Sequence, residues 1–126
     1  MSITTQELNL FQQQINNKLS AYSASLEMSF HFSIERLNDL RNNPEIKVLE
    51  LEIIFNNLIK FHINEIISLS DKDTFNIRCS NSHINIPCQI KKEYCIVDKK
   101  DKTILFTITI MRKKTFLSHD PIEFIV

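Results

Sequence analysis

The hydrophobic pattern of this chain changes period once, and that change dictates a layered fold. Up to residue 68, apolar side chains recur every three or four positions, the spacing of one helix face. After Asp71-Lys72-Asp73 they alternate instead, as a strand with one buried face requires. Helices followed by strands imply an α+β domain. The pattern predicts N-terminal helices packed on one face of a curved antiparallel β-sheet of four to five strands, in a single domain over residues 1–126.

Thr4-Thr5-Gln6-Glu7 reads as a capping box. Leu8, Phe11, Ile15, Leu19, Tyr22 and Leu26 then form one stripe, which predicts an amphipathic helix over 5–27. Its other face is rich in Gln, Asn and Ser, and core packing of the stripe is weighed against docking of an N-terminal arm elsewhere. A short second helix is expected over 33–41, with Ser33 as N-cap and Ile34, Leu37 and Leu40 on one side. Asn42-Asn43-Pro44 ends it. A third helix over 47–68 carries a broad apolar face that includes His62. Strands are expected at 74–79, 84–90, 93–98, 103–111 and 122–125, with turns at Ser80-Asn81-Ser82 and Asp98-Lys99-Lys100-Asp101. Pro87 lacks an N–H, so its strand is an edge or carries a bulge there.

Composition excludes several classes of site. The 126 residues contain no glycine, so a Gly-rich phosphate loop or dinucleotide fingerprint is ruled out and no cofactor is expected. Turns that need φ > 0 must use Asn or Asp, as at Asn42-Asn43, Asn81 and Asp98–Asp101. The net charge of zero gives no global field for nucleic acid, so any such binding rests on a local patch. Three cysteines without a C-x-x-C motif give neither a disulfide framework nor a zinc ribbon. Cys88 and Cys95 read as buried thiols, and a metal site with His83 matches no usual ligand spacing. Without a signal peptide or an apolar run of about 18 residues, a cytosolic protein with no membrane partner is expected.

Two clusters could carry chemistry. The first is the run from Thr103 to Phe116, where alternating residues end in Arg112, Lys113 and Lys114. Thr107 and Thr109 share a face of this strand, and hydroxyls leading to a guanidinium and two ammoniums can hold a phosphate. The second is His31-Phe-Ser-Ile-Glu35-Arg36 with Arg41, which holds two of the four arginines. Imidazole suits proton transfer near neutral pH, and guanidinium suits bidentate phosphate contact. The plainer alternatives are lysines that discourage edge pairing, and a His31 that packs while Arg36 pairs with Glu35 or Asp39.

Together these motifs resemble a group of small proteins encoded by tailed bacteriophages. His31-Phe-x-x-Glu35-Arg36-x-x-x-x-Arg41 is similar to an H-F-x-x-R helix start, with Glu35 where the motif has Arg. Ile84-Asn85-Ile86-Pro87 is similar to an I-N-I-P strand, and Thr109-Ile110-Met111-Arg112-Lys113-Lys114-Thr115-Phe116 to a T-x-M-R-K-K-x-F strand end. The resemblance covers about residues 30–121 and leaves the N-terminal segment 1–28 outside. The layout also resembles, more distantly, the barnase–EndoU–colicin–RelE class of ribonucleases and toxins. That resemblance implies metal-independent cleavage of RNA, with His31 as the proton-transfer residue and Arg36, Arg112 and Lys113 as phosphate-stabilising cations. It implies substrate contacts from Arg41, Thr107, Thr109, Lys114 and Phe116. It also implies a place in the host cytoplasm, with packaging in the virion as the alternative. A non-catalytic reading remains beside it: a protein on the same fold that binds virion proteins or a host protein.

Overall fold

The computed structural model describes the chain except Met1, Asp98, His119 and the side chain of Cys95. The expected turn at Asp98, the buried thiol at Cys95 and the tail position of His119 therefore lie outside the described residues. The architecture is α+β. Two helices, α1 (Thr5–Leu19) and α2 (Val48–Ile67), bury their apolar sides in one cluster with a single face of the sheet.

The sheet is mixed and, among the described residues, six-stranded, against the expected antiparallel four or five. Its strands are β1 (Ala24–Met28), β2 (Thr74–Cys79), β3 (Ile84–Cys95), β4 (Lys100–Thr107), β5 (Met111–Arg112) and β6 (Glu123–Ile125). They lie in the order β1-β4-β3-β2-β6, and β5 pairs with β3. β1 runs parallel to β4, and β6 runs parallel to β2. Ladder partners Leu26, Leu105 and Ile90 place one row of side chains on the helix face, and all three are buried.

The capping box forms as expected. Thr4 Oγ1 accepts from Glu7 N, and Glu7 Oε1 accepts from Thr4 N. The helix stops at Leu19, well short of 27. Ser20 Oγ donates to Asn17 O, and Ser23 adopts φ 54. The hydroxyl competes with the helical backbone, and the left-handed residue reverses the chain into β1. Tyr22 and Leu26 continue the stripe in sequence but not in space. The polar side of α1 also has a task. Asn16 Oδ1 accepts from Leu26 N at 2.6 Å, and Gln12 Nε2 donates to Leu26 O at 2.9 Å. α1 therefore covers the open edge of β1.

β3 is one strand where two were expected, because Lys91 and Lys92 do not make a turn. The Lys91 ammonium lies 3.9 Å from the centre of the Phe106 ring. The Lys92 ammonium crosses to the helix side and donates to Ile67 O and Thr103 Oγ1. It thereby caps the carbonyl end of α2. The expected 103–111 strand breaks after Thr107, and Pro87 explains the break. Pro87 O accepts from Ile108 N, but Pro87 has no N–H to return to Ile108 O. Ser29 Oγ donates to that carbonyl instead, at 2.6 Å.

Among the described residues the left-handed positions are Ser23, Lys72, His83 and Lys99, and the expected Asn42, Asn43, Asn81 and Asp101 are not among them. Asp71 and Asp73 serve as acceptors instead, from Lys92 N and Ser70 N, and leave Lys72 at the turn apex.

Candidate functional site

The short second helix is a single wide π-helical turn, His31–Arg36. Leu37 N donates to Phe32 O, five residues back, at 3.0 Å. That spacing buries Phe32 and Leu37 together, and it leaves Ile34 and Leu40, read as a buried stripe, on the surface. Ser33 is not the N-cap. Its hydroxyl donates back to Ser29 O, while Ser29 Oγ accepts from Phe32 N. Ser29 thus fastens the π turn to the break in the sheet.

The same wide spacing sets His31 beside Arg36. Arg36 Nε donates to His31 Nε2 at 3.1 Å. Nε2 must then be the accepting nitrogen, so the proton sits on Nδ1, which faces Glu35 Oε1 at 3.3 Å. Asp39 holds two arginines. It accepts from Arg36 Nη1 at 3.2 Å and is gripped by Arg41 through Nε at 3.2 Å and Nη2 at 2.9 Å. His31, Arg36, Asp39 and Arg41 line a hollow of about 480 Å³ with Asn42, Thr109, Ile110, Met111, Arg112 and Lys113. Asn42 joins its two sides, since its Nδ2 donates to Arg36 O and its Oδ1 accepts from Arg112 N.

The structure therefore gathers His31, Arg36, Arg41, Thr109 and Lys113 around one hollow. Arg112 is a partial correction. It lines the hollow, yet its side chain is only 9% exposed and its guanidinium is engaged elsewhere. It donates to Pro44 O, Ser82 O, Glu45 O and Glu50 Oε1 at 2.6–3.1 Å. Its charge binds segments of this chain, and none of it is directed at a phosphate. Thr107 is a second correction, because it is fully buried and its hydroxyl donates to Glu27 O. The strand break after Thr107 separates it from Thr109. Lys114 and Phe116 lie outside the lining of this hollow, and the Phe116 carbonyl accepts from Arg78. Asn42 is a member that the sequence reading missed. Asp39 was read there only as a pairing partner of Arg36, a pair that the structure forms.

Burial pushes the Glu50 carboxyl up, but the Arg112 hydrogen bond, the Lys47 N–H and both cations outweigh it and hold it below its ordinary value. Burial, with Asp120 adding to it, raises the Cys88 thiol well above the usual range, so Cys88 is an inert core residue. His62, read as a packed residue, lies against Phe124, and its Nε2 donates to Ile125 O. Among the described residues, no group of three His, Cys, Asp or Glu could hold a metal ion, and no helix is long and apolar enough to cross a membrane. No protein-family model, curated protein or solved structure matches the chain.

Proposed function

We propose that the protein cleaves RNA without a metal, by attack of a 2′-hydroxyl on the adjacent phosphate. The observation that carries this reading is that His31, Arg36 and Arg41, from one short segment, line one hollow with Lys113, from a distant part of the chain. His31 Nε2 is the base. Its lone pair is held by Arg36 Nε, and it becomes free when Arg36 turns to a phosphate. It takes the 2′-hydroxyl proton, O2′ bonds to phosphorus, and the bond to the 5′-oxygen breaks. That oxygen leaves with a proton from water, and a 2′,3′-cyclic phosphate remains. Arg36, Arg41 and Lys113 hold the charge that builds on the phosphoryl oxygens. Asp39 keeps both arginines aimed until substrate displaces it.

Purified protein is expected to cut single-stranded RNA in EDTA and to leave cyclic-phosphate ends. His31→Asn should lower the rate by roughly 10²–10⁴, the usual worth of a general base. Arg41→Ala, at a side chain 73% exposed, should weaken RNA binding and leave the fold intact. Intact RNA with the wild-type chain, or wild-type cleavage by His31→Asn, overturns the proposal. One observation favours a second reading, a non-catalytic module that docks a virion or host protein. Phe30, Ile34 and Leu40 are all largely exposed on the segment that carries His31. Under that reading RNA stays intact, and Phe30→Ser with Leu40→Ser abolishes a protein complex.

A further inference from the structure

On the other side of Arg112 lies a second cavity, of about 590 Å³, which the RNA chemistry does not use. α2 contributes Ile53, Ile54 and Asn57, and the β2–β3 hairpin contributes Cys79, Ser82 and His83. Glu50, Arg112, Lys114 and Val126 complete the lining that matters here. The volume suits a small molecule, and so does a mostly apolar lining with a few polar groups.

The charges define what would fit. Glu50 and Arg112 neutralise one another at 2.6 Å. Among the described residues Lys114 has no ion pair, so one ammonium is left to attract an anion. Ser82 adds a neutral donor. Its hydroxyl oxygen is buried and, among the described residues, has no hydrogen-bond partner, an arrangement that is unfavourable until something meets it. A single free cation and a single hydroxyl match one carboxylate better than a phosphate dianion, which calls for more donors.

We infer that this cavity binds a small, mostly apolar molecule that carries one carboxylate. The apolar body packs against Ile53, Ile54, Cys79 and Val126, and the carboxylate is met by the Lys114 ammonium and the Ser82 hydroxyl. The inference stands apart from the RNA proposal, since no part of it requires a nucleic acid.

The test is an amide NMR titration of the full chain with three probes: 2-naphthoate, indole-3-acetate and octanoate. At least one should give saturable shifts at Ile53, Asn57, Ser82 and Lys114. Its uncharged alcohol should bind more weakly. Lys114→Glu should weaken binding by roughly tenfold, the worth of one charge-assisted hydrogen bond. Ile53→Asp should abolish binding. Ile53 and Lys114 are both exposed, so both variants keep the fold, and unchanged spectra away from the cavity verify it. Millimolar probes that leave these amides unmoved, shifts confined to other surfaces, or wild-type affinity in both variants would each overturn the inference.

Discussion

Arg112 shows how a residue can be singled out correctly and read wrongly. The chain announces a lone guanidinium at a strand end, which suits a phosphate contact. In the fold, that guanidinium bonds three carbonyls and the Glu50 carboxylate, from three separate segments. Charge alone cannot distinguish these uses, because the partners lie between 30 and 68 residues away. The ion pair has a consequence for acid stability. Glu50 sits below its ordinary value of 4.5 in the folded chain, so the folded state binds fewer protons than the unfolded one. Its contribution is present at neutral pH, begins to fade near pH 4.5 and is lost as pH falls through the lower folded value. Glu123 follows the same sign, lowered mainly by Arg78. Urea midpoints of wild type and Glu50→Gln should therefore differ most at pH 6–8 and converge in acid. A difference that stays constant down to pH 3 would contradict this linkage.

The π turn and the sheet break form one unit, and Ser29 is its joint. Pro87 removes a donor, Ile108 O is left without a ladder partner, and Ser29 Oγ supplies the missing hydrogen. The same oxygen accepts from Phe32 N at 2.9 Å and so sets where the turn begins. Ser29→Ala should cost about 1–3 kcal/mol, the net worth of its two hydrogen bonds, read as a lower urea midpoint. Amide shifts should spread to His31 and Arg36, since both depend on the start of the turn. A variant as stable as wild type, with those shifts unmoved, would remove Ser29 from this role. The sequence reading found the Pro87 defect and allowed for a bulge. It could not find the π turn, because Ile34, Leu37 and Leu40 fit an ordinary helix. The buried pair is Phe32 with Leu37, a spacing that only the packed neighbours select.

At the scale of the whole molecule, both edges of the sheet are closed by polar side chains from the helices. Asn16 and Gln12 of α1 satisfy Leu26 on β1, and His62 of α2 donates to Ile125 O on β6. Bare edges invite pairing with other chains. The Gln12→Ala, Asn16→Ala double variant should lose about 2–4 kcal/mol and show concentration-dependent association by light scattering. A variant that stays as stable and as monodisperse as the wild-type chain would count against edge protection by α1. Local pattern by itself determined the α+β class, the capped start of α1, the extent of α2 and the position of β2, because each depends on periodicity and caps within a few residues. Tertiary structure alone decided that β1 is a strand, that β1 and β6 run parallel to their neighbours, and that His31 and Lys113 share a hollow while the Arg112 guanidinium is turned into a clamp. The physical reason is range. Strand partners and charge partners are chosen by burial and hydrogen bonding between segments dozens of residues apart, and alternation or spacing along the chain carries no record of that choice.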